Sequence, residues 1–393
     1  MNEKVVILAA RRTPIGGFQG VLSAATAPQL GATAARAALT DAGLPGDALD
    51  EVIFGCVLPA GLGQAPARQA ALAAGIAASV PATTVNKMCG SGMKALMLAA
   101  DQIAAGGSTL SLAGGLESMS NAPYLLLKAR AGYRMGHSEL IDHMFYDGLQ
   151  SPWDGQAMGC FAESTADKYG FTRAAQDAFA AESVRRAQRA VRDGDFSAEI
   201  APVTVKSRKG EQTVDRDETP FAVDIEKIPT LKPVFRKDGT VTAASSSSIS
   251  DGAAALVIAS EGAARSRGLE PLARIVSHAS HAQSPEWFTT APAPAIQKAL
   301  DRAGWKTSDV DLYEINEAFA VVTMAAAEDL GLDMARVNVN GGACALGHPI
   351  GATGARLVTT LLHALRRRGL RRGVASQCIG GGEATAICIE LVD

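Results

Sequence analysis

Aromatic residues make up only 5% of this 393-residue sequence, and no apolar run approaches the roughly 18–20 residues that cross a bilayer. A membrane-embedded chain is therefore not expected. Neither sign of charge dominates: 37 lysines and arginines stand against 40 acidic residues, a net charge of −3. Without a basic field, nucleic acid and anionic lipid surfaces are excluded as main partners. No G-x-G-x-x-G, Walker loop or H-E-x-x-H occurs, which removes the common dinucleotide, P-loop and zinc-peptidase sites. The six histidines are scattered, and the six cysteines, at 56, 89, 160, 344, 378 and 388, form no C-x-x-C pair. Neither a metal site nor a disulfide scaffold is expected. The opening residues lack a basic region and a cleavage site, so no secretion signal is expected, and reduced thiols in the cytoplasm are expected with it.

What is present is the balance of a well-buried folded chain: 47% hydrophobic and 20% charged, and too long for one ordinary core. Apolar runs suited to strands, Val5–Ala10 and Glu51–Gly55, alternate with Ala/Leu-rich stretches suited to helices, Gln29–Ala42 and Gly92–Ala105. That alternation is the α/β pattern. Ser108–Ala113 reads as a further strand, ended by Gly114-Gly115. The last third then repeats the first. Ala38–Gly43 leading to Asp50–Phe54 matches Ala299–Gly304 leading to Asp311–Ile315, both at an offset of 261 residues. Each unit continues through a glycine-rich turn into a helix, Cys89–Ala105 or Gly347–Arg368, and closes on a strand and a glycine cluster. Two related α/β halves are the simplest interpretation. From about Ser120 to Asp238 the chain is richer in charge and aromatic residues, with a charged turn at Lys206–Gly210. This stretch reads as an excursion from the first half, which resumes with a strand at Asp251–Ala259.

Cys89 stands in Asn86-Lys87-Met88-Cys89-Gly90-Ser91-Gly92, just before a helix. Helix N-terminal amides favour negative charge and lower a thiol pKa from about 8.5, so a thiolate at neutral pH is one expectation. A buried core cysteine is the other. Ser91–Lys94 also matches the S-x-x-K pattern of serine acyl enzymes, but no Ser-Asp-Asn or Lys-Thr-Gly partner accompanies it. His348 lies between Gly347 and Pro349 at a helix start, where the imidazole is expected to face outward. It is either a base for a thiol or a turn residue. Cys378 ends a strand that opens into Gly380-Gly381-Gly382, whose amides suit an oxyanion. Asn316 and Glu317 follow a strand, and either face a ligand crevice or cap the next helix. Cys344 and Cys388 fall in apolar surroundings and read as core, the reading favoured for Cys56 and Cys160 as well.

Taken in order, Asn86–Lys94, Gly114–Pro123, Asn316–Phe319, Asn340–Arg356 and Cys378–Gly382 resemble the thiolase family, particularly its acetyl-CoA C-acetyltransferases, and the match runs end to end. The resemblance implies a duplicated five-layered α/β/α/β/α core. Residues 1–119 and 241–270 are the N-terminal half, 271–393 the C-terminal half, and 120–240 an inserted loop domain covering coenzyme A. It implies reversible Claisen condensation of two acetyl-CoA to acetoacetyl-CoA and coenzyme A. It further implies Cys89 as the nucleophile, His348 as its base and an oxyanion donor, and Cys378 as the acid/base at the α-carbon. Asn316 acts through a water beside His348, and the amides of Cys89 and Gly380 form a second oxyanion hole. Ser247, Met158, Phe235, Ala318, Phe319 and Phe288 are implied contacts for the coenzyme A thioester. Such thioesters are substrates, so no cofactor or metal is implied. Ala129–Gly136 matches an oligomerisation loop, implying a homotetramer built as a dimer of dimers.

Four positions depart from the family pattern: Ala157 where His is usual, Phe221 for Arg, Phe288 for Met, and Glu383 for an apolar residue. They bear on acyl-chain choice and coenzyme A affinity. The alternatives are a 3-ketoacyl-CoA thiolase for longer chains, a β-ketoacyl synthase, whose His-Gly-Thr-Gly is absent, and a non-catalytic thioester-binding relative.

Overall fold

The computed structural model describes residues 3–207 and 210–392. The tip of the charged turn, at 208–209, and the terminal residues lie outside the described residues. Strand β1 (Val5–Arg12) is apolar on consecutive residues because both of its faces are covered; Val6 and Ile7 expose nothing. It opens an arrangement that the chain uses twice. In the first half, β1, β2 (Glu51–Gly55), β3 (Ala82–Val85), β4 (Leu110–Ser118) and β5 (Ser250–Ser260) lie in the order β1-β5-β4-β2-β3. In the second, β6 (Ala273–Ala282), β7 (Leu312–Ile315), β8 (Arg372–Ile379) and β9 (Glu383–Leu391) lie in the order β6-β9-β8-β7. Both orders run antiparallel, antiparallel, then parallel. Where β3 pairs with β2 in the first half, the second half has a single parallel bridge, Tyr313 to Val337. The equivalent strands β1 and β6 meet antiparallel, from Val5 opposite Ile275 to Ile7 opposite Ala273, joining the halves into one sheet.

The helices divide into three layers. α1 (Ala27–Asp41) and α2 (Pro66–Ala73) cover the outer face of the first half. α3 (Ser91–Ala104) lies in the middle layer. Beyond it, α4 (Met158–Tyr169) and α5 (Arg173–Arg192) belong to the excursion, while α6 (Pro292–Ala303) and α7 (Ala320–Leu330) cover the outer face of the second half. α8 (Thr353–Arg368) packs on α3, and the pair touches strands of both halves. The result is α/β/α/β/α, with the most enclosed core around the central pair. Met93, Leu96, Leu357 and Leu361 expose nothing there, each burial contributing roughly 1.5–3 kcal/mol.

Two glycines make the central layer possible. A Cβ on Gly354 would stand 2.4 Å from the Met93 nitrogen, so the starts of α3 and α8 touch backbone to backbone. A Cβ on Gly115 would stand 2.1 Å from the Gly351 oxygen. Gly114-Gly115 therefore does not end a strand, as its composition suggested. It lies within β4, which is thinned there to admit the turn before α8.

The excursion between β4 and β5 is anchored from below. Fully buried Arg12 on β1 pairs with Glu199 at 2.5 Å and Asp217 at 2.7 Å. Ser183 of α5 donates to Glu317 at 2.7 Å, after β7. No helix among the described residues is long and apolar enough to cross a membrane.

Candidate active site

Cys89 sits in the turn between β3 and α3. Asn86 Oδ1 accepts the Met88 N–H at 2.9 Å. Ser91 Oγ accepts from the Lys87 amide at 2.8 Å and donates to the Met88 carbonyl at 2.6 Å. These bonds hold Met88 at φ +47°, a left-handed conformation that costs an L residue roughly 1–2 kcal/mol. The strained residue immediately precedes the thiol. The Cys89 sulfur lies close enough to its own amide and to that of Gly380, in the hairpin between β8 and β9, for both to pull its pKa down. Backbone from both halves therefore comes together around one sulfur.

His348 arrives on the turn before α8, whose start touches α3. Its backbone N–H donates to the Ser248 carbonyl at 3.1 Å. Contrary to the outward placement expected from its Gly-His-Pro context, the side chain is buried, because the turn folds back under β4 and β5 before the helix begins at Thr353. His348 Nδ1 lies 2.6 Å from Thr353 Oγ1, and that hydroxyl donates to the Pro349 carbonyl at 3.0 Å. With its one hydrogen spent, Thr353 accepts from Nδ1–H, leaving the lone pair on Nε2. Asn316 Nδ2 lies 3.5 Å from Nε2. Burial, then the cationic Arg356 along α8, push the imidazole down to about 3. It is neutral at rest.

Asn316 exposes nothing; its N–H donates to the Ser376 carbonyl at 2.9 Å, and its Oδ1 has no partner among the described residues. It does not cap α7, whose N-cap is Phe319. Cys378, near the end of β8, is buried in an apolar cluster with Phe288, Ala318 and Phe319, against which Met158 and Phe235 pack. Phe235 and Phe288 meet the Phe319 ring edge-on at 5.9 and 6.5 Å. Ser247 joins this wall through its N–H to the Ala318 carbonyl at 2.9 Å. Beside Gly380 opens a 450 Å³ pocket lined by Met88, Tyr146, Trp153 and Met158.

Burial pushes the Cys378 thiol well above its ordinary value, and the neighbouring Cys89 adds to this. Burial also raises Cys89, while the two amides pull it back without prevailing. Desolvation thus opposes the thiolate expected at neutral pH from the helix N-terminus, although Cys89 itself is only half-buried. The site at rest holds two neutral thiols and a neutral imidazole. The expectation that Cys344 and Cys388 are core agrees with their burial; Cys56 is also buried, and Cys160 only partly so.

Comparison with known proteins decides the lineage of this arrangement. Residues 5–262 match the family described as the thiolase N-terminal domain, and residues 269–391 the thiolase C-terminal domain. The chain belongs to the thiolase family. It is 51% identical to an acetyl-CoA acetyltransferase of Pseudomonas aeruginosa over 389 residues, covering 98% of this chain and 99% of that one. It is also 51% identical to one of Escherichia coli over 390 residues, 99% of each. A crystal structure of the Bacillus anthracis acetyl-CoA acetyltransferase superposes with a TM-score of 0.97 at 43% identity, covering all of both chains.

Within this thiolase, the departures sit in different settings. Ala157 caps α4, Phe221 is half exposed on a short turn, and Phe288 fills the wall next to Cys378. Two contributors escaped the sequence reading. Thr353 lies within Asn340–Arg356 and Glu117 within Gly114–Pro123, neither with an expected role. Buried Glu117 accepts from the amides of Val57 at 3.0 Å, Leu58 at 3.2 Å and Gly351 at 2.9 Å, and burial raises it to about 7. A lone carboxylate ending an apolar strand was the available signal.

Proposed function

We propose that this thiolase is an acetyl-CoA C-acetyltransferase, joining two acetyl-CoA into acetoacetyl-CoA and coenzyme A, and reversing that reaction. The observation that carries the proposal is the convergence of the two halves on Cys89: Ile379, next to Gly380, packs against Gly90, Cys378 is close by, and the His348 loop is held against the start of α3.

The chemistry balances as follows. The Cys89 sulfur attacks the thioester carbonyl, its proton passing to His348 Nε2, while the Cys89 and Gly380 amides hold the oxyanion. Coenzyme A leaves with the proton that His348 took, so the acetyl enzyme carries a neutral imidazole and the Cys378 thiol. As the Cys378 proton passes to His348 Nε2, the Cys378 sulfur takes the α-proton of the second acetyl-CoA. Protonated Nε2, with Asn316 through a water, holds the enolate oxygen. The carbanion attacks the acetyl carbonyl on Cys89, the carbon–carbon bond forms, and the Cys89 thiolate leaves and recovers its proton from His348. The resting state of two thiols and a neutral imidazole is regenerated. Losing one oxyanion donor typically costs about 3–4 kcal/mol, so each amide matters. The side chains suffice without a metal or organic cofactor.

Phe288, Phe319 and Phe161 fill the wall beside Cys378, which supports a short acyl group. The contacts assigned to the coenzyme A thioester are Ser247, Met158, Phe235, Ala318, Phe319 and Phe288. Six free cysteines fit a reducing cytoplasm. A homotetramer is supported by the exposed apolar side chains Tyr124, Leu127, Tyr133, Met135 and Leu140 around the 129–136 loop, a surface suited to self-association. Thiolysis rates for acetoacetyl-CoA and for longer 3-ketoacyl-CoA substrates test the acyl choice. The four-carbon substrate is expected to be fastest, and a preference for longer chains would reject acetyl specificity.

A further inference from the structure

The two amides at Cys89 come from opposite halves of the chain, and something must fix the gap between them. We infer that the ion pair between Lys87 Nζ and Glu383 Oε2 is the strut that does so, and that it positions the site for acyl transfer; this rests on the acyl-transfer reading above. The two residues are 296 positions apart in sequence.

Each end of the strut is rigidly coupled to one amide. Lys87 lies two residues before Cys89. Its N–H is held by Ser91 Oγ at 2.8 Å, and its carbonyl accepts the Gly90 amide at 3.0 Å. The lysine backbone is therefore part of the turn that aims the thiol. Glu383 is the first residue of β9 and stands opposite Ile379 across the hairpin that carries Gly380. The Ile379 side chain lies directly against Gly90, so the two loops already touch on their apolar side. The charge pair closes their polar side. Among the described residues neither Lys87 nor Glu383 makes another ion pair. Their side chains are 26% and 35% exposed, so solvent and salt reach the pair only in part.

A strut of this kind acts on the transition state more than on substrate binding. Oxyanion donors work only when aimed at the developing charge, and a small misplacement lowers turnover before it lowers affinity. The test uses the full-length enzyme and four chains: wild type, Glu383→Gln, Lys87→Met, and the exchanged pair Lys87→Glu/Glu383→Lys. Thermal unfolding and kcat and KM for acetoacetyl-CoA thiolysis are measured on each, and wild-type kcat is followed against potassium chloride. We expect each single variant to lose about tenfold in kcat with KM within about twofold and an unfolding temperature close to wild type. The exchanged pair should recover most of the loss, and added salt should lower wild-type kcat but not that of Glu383→Gln. Single variants with wild-type kcat, or an exchanged pair no better than the singles, overturn the strut. The salt dependence needs only wild type and one variant, so poor folding of another does not rescue the idea. A wild-type chain that transfers no acetyl group overturns the acyl-transfer reading, and the strut with it. An active wild type with indifferent variants overturns the strut alone.

Discussion

Thr353 holds the unreactive nitrogen of His348: Oγ1 stands 2.6 Å from Nδ1, with its own hydrogen committed to the Pro349 carbonyl 3.0 Å away. In the proposed reaction Nε2 is thereby the only ring atom that gains and loses a proton. Thr353→Val keeps the shape and removes the acceptor. A hydrogen bond to a group that becomes charged is worth roughly 1.5–3 kcal/mol, so kcat should fall about ten- to a hundredfold. Thr353→Ser should retain most activity. Steady-state thiolysis on both variants checks this, and equal activity in Val and wild type would remove Thr353 from the account.

The charge state of Cys89 has a pH signature. Its thiol is raised by burial, and His348 is pushed down to about 3, so no thiolate–imidazolium pair exists at rest. Only the thiolate alkylates, and its fraction grows with pH until the thiol pKa is passed. Iodoacetamide labelling of Cys89 should therefore rise about tenfold per pH unit from pH 6 to 8, without an early plateau. Levelling below pH 7 would show a preformed ion pair.

Gly354 sets two opposing effects against each other. In a helix, Gly→Ala alone is favourable by roughly 0.5–1 kcal/mol. Here the new methyl would stand 2.4 Å from the Met93 backbone nitrogen, and overpacking of a tight core typically costs about 1–3 kcal/mol. The clash should win. Gly354→Ala should unfold at a lower temperature and, by parting α3 from α8, lose kcat as well. A stabilised, fully active variant would contradict this packing.

How much was legible in the sequence followed from how local each feature is. Glu51–Gly55 reads as a strand from its own residues and is one, and the 261-residue offset places its partner at Leu312–Ile315, again a strand. The thiolase fold and the segments carrying Cys89, Asn316, His348 and Cys378 could be read because each motif is contiguous. Properties set by the other half of the chain could not. Gly114-Gly115 looks like a strand end until the backbone of Gly351 is found lying across it. The burial of His348, the raised thiol of Cys89 and the three amides on Glu117 likewise depend on residues far away in sequence. Burial is a tertiary property, and here desolvation of Cys89 works against the pKa shift that the helix N-terminus alone suggested.

The most direct test is chemical. The enzyme is incubated with isotopically labelled acetyl-CoA, quenched in acid, and its peptides are mapped by mass spectrometry. One labelled acetyl group is expected on the Cys89 peptide, lost in Cys89→Ala and retained in Cys378→Ala, which should make no acetoacetyl-CoA. Label on any other residue, or normal condensation by Cys378→Ala, would contradict the roles assigned to the two thiols.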